Sequence, residues 1–190
     1  MTTASRSAAA ISALCAALAV AEDAPKGRET FTAFAVSLGG PTRPSGSGTV
    51  LITVDRWSTP EERRALVSAF KEKGPDGLRD ALQKVEPLGR IRTPDSIGYD
   101  LRYAHQVPLP GGGRRILLGT ERPISARELI AGARSTDYPF TVVEMRLDAK
   151  GEGQGKLSIA TRVVSDGDAV ELENYDMAPV QLTKIRAKRE

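Results

Sequence analysis

The chain holds one histidine, His105, the only side chain type whose charge changes near neutrality without help from its surroundings. It closes the run Tyr99–His105, where period-two alternation puts Tyr99, Leu101, Tyr103 and His105 on one strand face and Asp100, Arg102 and Gln106 on the other. Two phenols and an imidazole facing a barrel interior would make the polar end of a ligand cavity. Proton transfer there would need a carboxylate within reach. Glu144 is the odd one, because alternation puts it on a face with Phe140 and Val142; buried, it would be a site candidate. Trp57, the only tryptophan, ends a strand just before a helix start. It is expected to pack across that junction, or else to stack on a ligand. The candidate ligand-binding set is therefore Trp57, Tyr99, Tyr103, His105 and Glu144.

Other chemistries fail on spacing. GEGQGK (Gly151–Lys156) resembles a phosphate loop, but such a loop needs Gly at the position of Lys150 and Ser or Thr at that of Leu157. As a calcium loop from Asp148, it has Lys150 at a ligand position and Ile159 in place of the closing Glu. A solvated hairpin loop is the expectation. Glu171 and Glu173 alternate with Val170 and Leu172, a solvent-side pattern in place of two acids facing across a cleft. No GxSxG elbow accompanies the serines. One cysteine and one histidine exclude a disulfide framework and multi-histidine or cysteine-rich metal centres; no metal and no cofactor are expected. Lys and Arg number 27 against 24 Asp and Glu, a net charge of +3, too small a surplus for a nucleic-acid partner. These exclusions favour a non-catalytic role over an enzyme.

The elements that must position the candidate residues begin after an address. Residues 1–21, MTTASRSAAAISALCAALAVA, join Arg6 to an uncharged run and end in Ala19-Val20-Ala21 before Glu22 and Asp23. That order is a secretory signal peptide, with cleavage expected after Ala21. The apolar run of about 15 residues is short for a spanning helix, so no stable membrane insertion is expected after cleavage. Cys15 would leave with the segment. Residues 22–29 read as a flexible leader, and 30–190 as a single domain.

Within that domain, TFTAFAVSL and TVLITVDRW read as strands around the turn-rich Gly39–Gly48. Thr59, Pro60 and Glu62 form a capping box with a proline start. Leu66, Val67 and Phe70 follow, and Lys73-Gly74-Pro75 ends that helix. A second helix, 76–85, carries Leu78, Ala81, Leu82 and Val85 at i, i+3, i+4 and i+7. Antiparallel signals then return. One hairpin is expected around Pro110–Gly113, a second around Ala149–Gly155 and a third near Asp176–Pro179, with a short helix opening at the Ser125–Glu128 capping box. The fold class is α+β: a mostly antiparallel sheet or barrel of about eight strands with an inserted amphipathic helix pair.

VDRWSTPEERRALVSAFKEKG, IRTPDSIGYDLRYAHQVPLPGGGRRI, DYPFTVVEMRLD, GKLSIATRV and ELENY resemble a family of small exported bacterial proteins of unknown function. The resemblance covers most of the chain after residue 21. It implies export and carries no site residues across. The reading is thus an exported, non-catalytic binding or accessory protein, periplasmic or extracellular, whose partner is a small molecule or another protein. Its ligand is expected between the helix pair and the sheet. The alternatives are a carboxylate-dependent envelope hydrolase using Glu144 or His105, and a protein–protein adaptor.

Overall fold

A computed structural model describes residues 27–39, 45–121, 140–166, 169–174 and 179–190. The expected signal peptide, the leader up to Lys26 and the Ser125–Glu128 helix start lie outside the described residues. Among the described residues there are ten strands and one helical element: β1 (Glu29–Ser37), β2 (Gly46–Val54), α1 (Pro60–Lys84), β3 (Gly89–Arg92), β4 (Tyr99–Leu101), β5 (Tyr103–Pro108), β6 (Arg114–Gly119), β7 (Phe140–Leu147), β8 (Glu152–Asp166), β9 (Ala169–Asn174) and β10 (Val180–Arg189). The count exceeds the expected eight for two reasons. The four-residue β3 is too short to announce itself by periodicity, and the run from Tyr99 to Pro108 is split at Arg102.

That split nearly closes the sheet. The strand order is β4-β3-β2-β1-β10-β8-β7-β6-β5, with β9 paired to β8, and every strand pair is antiparallel. The first and last strands of that path are consecutive in the chain, separated only by Arg102. One extended run therefore pairs with β3 through its first half and with β6 through its second. The sheet curls into a nearly closed barrel.

The hairpins around Pro110–Gly113 and Ala149–Gly155 form as expected. The third does not. Instead of pairing with β10, β9 folds back on the far half of β8, Thr161–Asp166, while β10 pairs with the near half, Glu152–Leu157, and with β1. The 15-residue length of β8 lets it serve two partners in succession.

Inward positions fill the barrel. Phe31, Ile52, Leu101, Ile116, Leu118, Met145, Leu182 and Ile185 are all at most 1% exposed and belong to one contiguous core. Trp57 and Tyr99 join it. In β10, Leu182 and Ile185 both face inward although three residues apart, because the register shifts between them and Lys184 takes a left-handed φ of 51°. This bulge coils the strand without turning its apolar residues outward.

The glycines of GEGQGK have a packing role. Gly153 and Gly155 face the sheet interior, where a Cβ would come within 2.0 Å of the Arg146 carbonyl oxygen and 2.4 Å of the Glu144 carbonyl oxygen. Those neighbours are backbone atoms of the paired strand and cannot rotate aside. Gly153→Ala should therefore destabilise the fold by about 1–3 kcal/mol, read as a lower denaturant midpoint; an unchanged midpoint would contradict the close approach. The loop itself is closed by Asp148, whose Oδ1 accepts from the Lys150 and Glu152 amides at 2.9 and 3.0 Å.

Where two separate helices are expected, α1 is one element broken sharply in the middle. Gly74 stands at φ 61°, ψ −148°, and Pro75 follows it without an amide donor. The N-terminal capping box forms as expected: Thr59 Oγ1 accepts from the Glu62 amide at 3.1 Å, and Glu62 Oε2 accepts from the Thr59 amide at 2.8 Å. The two arms share an apolar cluster of Leu66, Phe70 and Leu82, backed by Leu78, Ala81, Val85 and Tyr103. This cluster is a second one beside the barrel core, and Val85 packs against both.

Candidate functional site

The structure divides the five candidate residues between the inside and the outside of the sheet. Trp57 and Tyr99 are buried within the barrel core. Trp57 packs as the junction reading expects, and its indole Nε1 has no hydrogen-bond partner among the described residues. The adjacent Ser58 ties the junction to β5: its amide donates to the Ala104 carbonyl at 2.9 Å, and its Oγ accepts from the Ala104 amide at 3.0 Å.

Tyr103 and His105 do not share a face with Tyr99 and Leu101, contrary to the alternation expectation. Leu101 and Ala104 are both fully buried and three residues apart, so the phase reverses at Arg102. The Arg102 amide leaves the β3 ladder and donates to the Gly119 carbonyl at 2.9 Å, which transfers the strand from one partner to the other. Its guanidinium secures the transfer by donating to the Val85 carbonyl at the end of α1 and pairing with Glu121. An inserted residue reverses every later side chain in a strand. Tyr103 and His105 consequently lie on the outer face.

There Tyr103 supports the apolar cluster of α1, and its ring meets His105 edge-on at 6.4 Å. His105 Nδ1 lies 2.7 Å from Arg63 Nη1 on the first helical arm. A guanidinium can only donate, so Nδ1 is the acceptor in this contact. The imidazole fastens helix to sheet.

Glu144 is outward and half-buried in β7, held by Arg115 Nε at 3.2 Å and Arg146 Nε at 3.3 Å. Register aligns His105 with Leu117 and Leu117 with Glu144. The acid and the imidazole thus share an outer row but stand two strand spacings apart, roughly 10 Å between backbones. The structure does not bring them together.

A concavity lies instead between the arms of α1. It is a cleft of about 460 Å³. Its small and apolar lining comes from Ala65, Leu66 and Ala69 on the first arm and Gly77, Ala81 and Val85 on the second. Both arms present small residues four apart, 65 and 69 against 77 and 81, and on a helix residues so spaced are neighbours on one face. The arms approach closely at Gly77, where a Cβ would meet the Ala69 carbonyl oxygen at 2.4 Å. Charged groups of both signs stand at the rim: Arg56, Glu62, Glu72, Lys73, Asp80 and Lys84. The sequence places Leu66, Ala81 and Val85 on packing stripes and does not single out Ala65, Ala69 or Gly77, although the alanine and glycine spacing is the signal that could have found them.

The upper rim is set by electrostatics. Burial raises the Glu62 carboxyl, but the hydrogen bond from Arg56 (Nη1 to Oε2, 3.0 Å), the Thr59 amide and the Arg56 charge outweigh it and hold the pKa below its ordinary value. A depressed carboxylate contributes stability above its unfolded pKa and loses it as pH falls through the folded one. Helix α1 should therefore loosen at its N-terminus as pH falls below the ordinary glutamate range, and Glu62→Gln should flatten that limb of the pH–stability curve. An identical acid limb in wild type and variant would exclude this rim pair as its source.

Among curated proteins, the chain is 26% identical over 143 residues to an uncharacterized WD repeat-containing protein of Deinococcus radiodurans, a match covering 68% of this chain and 54% of that protein. The chain spans about half the length of the curated relative it matches. No family model matches the chain, and no solved structure matches it.

Proposed function

We propose that this is an exported, non-catalytic binding protein that holds a small amphipathic molecule in the cleft between the arms of α1, the filled barrel acting as its scaffold. The observation that carries the reading is the break at Gly74. It folds one helical element back on itself so that two small-residue stripes line a cleft whose rim bears charge of both signs. An aliphatic segment fits the apolar lining, and a polar head fits the rim. The interior of the barrel is occupied by side chains, which favours a site outside it. Export rests on the signal-peptide pattern of residues 1–21 and would place the protein in the periplasm or outside the cell; intact mass beginning at Glu22 in material from the native host is the expected result.

The binding reading is tested by thermal denaturation against medium-chain carboxylates, amines and alcohols. A ligand at 100 times its Kd stabilises the folded state by about 2.7 kcal/mol, a shift of several degrees. Ala65 is exposed at the mouth of the cleft, so Ala65→Trp should abolish the shift and leave the unliganded melting temperature unchanged. No stabilisation by any aliphatic compound would defeat the assignment.

A further inference from the structure

The outer face of β1 changes character along its length. Thr30 and Thr32 give way to Phe34, Val36 and then Leu38 just past the strand end, at i, i+2 and i+4 of the same outward row. Outward positions of a sheet that meets water are ordinarily polar. Phe34 is 41% exposed and Leu38 77%, which makes this end of β1 an apolar projection.

Cations flank it. Thr183 pairs with Phe34 and donates its hydroxyl to the Phe34 carbonyl at 3.2 Å, and the next residue is Lys184. Gln181 lies between Val36 and Lys156, in register with both. Both lysines are exposed, and neither has a carboxylate within 4.0 Å among the described residues. Glu144, the register neighbour of Lys156, is engaged by Arg115 and Arg146. Lys184 also holds a left-handed φ of 51°, where glycine would be relaxed and a lysine is strained.

We infer that this end of the barrel docks on an anionic lipid bilayer, with Phe34 and Leu38 entering the boundary between headgroups and acyl chains while Lys156 and Lys184 meet the phosphates. Apolar side chains projecting beside cations are the pattern of interfacial anchoring. A protein partner is the poorer fit, because three partly exposed side chains fall well short of the roughly 800 Å² that each side of a stable protein interface contributes. The inference does not depend on the cleft: lipid anchoring and ligand binding use different residues.

The test is flotation of the full chain with vesicles of phosphatidylcholine, alone or mixed with phosphatidylglycerol. Binding to the mixed vesicles should be at least about tenfold tighter than to the neutral ones and should weaken with added salt. Phe34→Ser/Leu38→Ser should lose about tenfold or more of the mixed-vesicle affinity. Lys156→Ala/Lys184→Gly should do likewise although its glycine relieves the strained backbone; thermal unfolding of both variants no lower than that of the wild type excludes loss of folding as the cause. Equal flotation of wild type and both variants would overturn the inference, as would absence of flotation. Concentration-dependent self-association of the wild type that the Phe34/Leu38 variant abolishes would overturn it too, assigning the patch to a second copy of the chain.

Discussion

Arg114→Ala should cost about 3–5 kcal/mol of stability across the whole fold. Glu29 is 2% exposed at the start of β1 and points into the barrel. Arg114 reaches it through both terminal nitrogens, and Arg114 Nη1 also donates to Gln106 Oε1 at 2.8 Å. The same guanidinium lies 5.8 Å over the Phe31 ring. Truncating it leaves a carboxylate in a low-dielectric interior where, among the described residues, the exposed Arg189 at 3.5 Å is a partial partner. An uncompensated buried charge is far costlier than the pair is favourable. The double variant Glu29→Leu/Arg114→Met should accordingly recover most of the loss, since replacing both partners removes the desolvation problem. Chemical denaturation of the three proteins checks this. A double variant no more stable than Arg114→Ala would mean that the pair does more than satisfy its own charges.

Phe70→Ala should cost a comparable 3–5 kcal/mol, but locally. Phe70 is 6% exposed in the cluster that joins the arms of α1, which meets the barrel core through Val85. Its loss removes the largest side chain between the arms, leaving Leu66 and Leu82 to hold them. Amide exchange should then quicken across Pro60–Lys84 while the amides of β1, β2 and β10 keep their protection, because stability is distributed over cooperative units. Uniform loss of protection across both would show that helix and barrel unfold as one unit.

The parts of this fold legible in the sequence are those governed by local rules. Alternation along Thr49–Val54 marks a half-buried strand, the Thr59-Pro60-Glu62 cap fixes where the helix starts, and Pro110–Gly113 places a hairpin; each forms as the residues suggest. What escapes is whatever depends on an inserted residue or a distant partner. Period-two reasoning cannot see that Arg102 trades β3 for β6, so it puts Tyr103 and His105 on the wrong face. Nothing local in AVELEN says that it will pair with the far half of β8 and not with β10. The cleft is missed for a related reason. Lys73-Gly74-Pro75 reads correctly as an interruption, yet the direction in which the chain resumes depends on the φ and ψ of Gly74, and that direction decides which alanines meet.

The cleft is the centre of the functional reading, and backbone and methyl NMR on the full chain addresses it most directly. On titration with a medium-chain carboxylate or amine, saturable shifts should concentrate at the Ala65, Ala69 and Ala81 methyls, with those of Ala33 and Ala104 in the barrel unmoved. Shifts confined to the barrel methyls, or none at saturating aliphatic ligand, would contradict it.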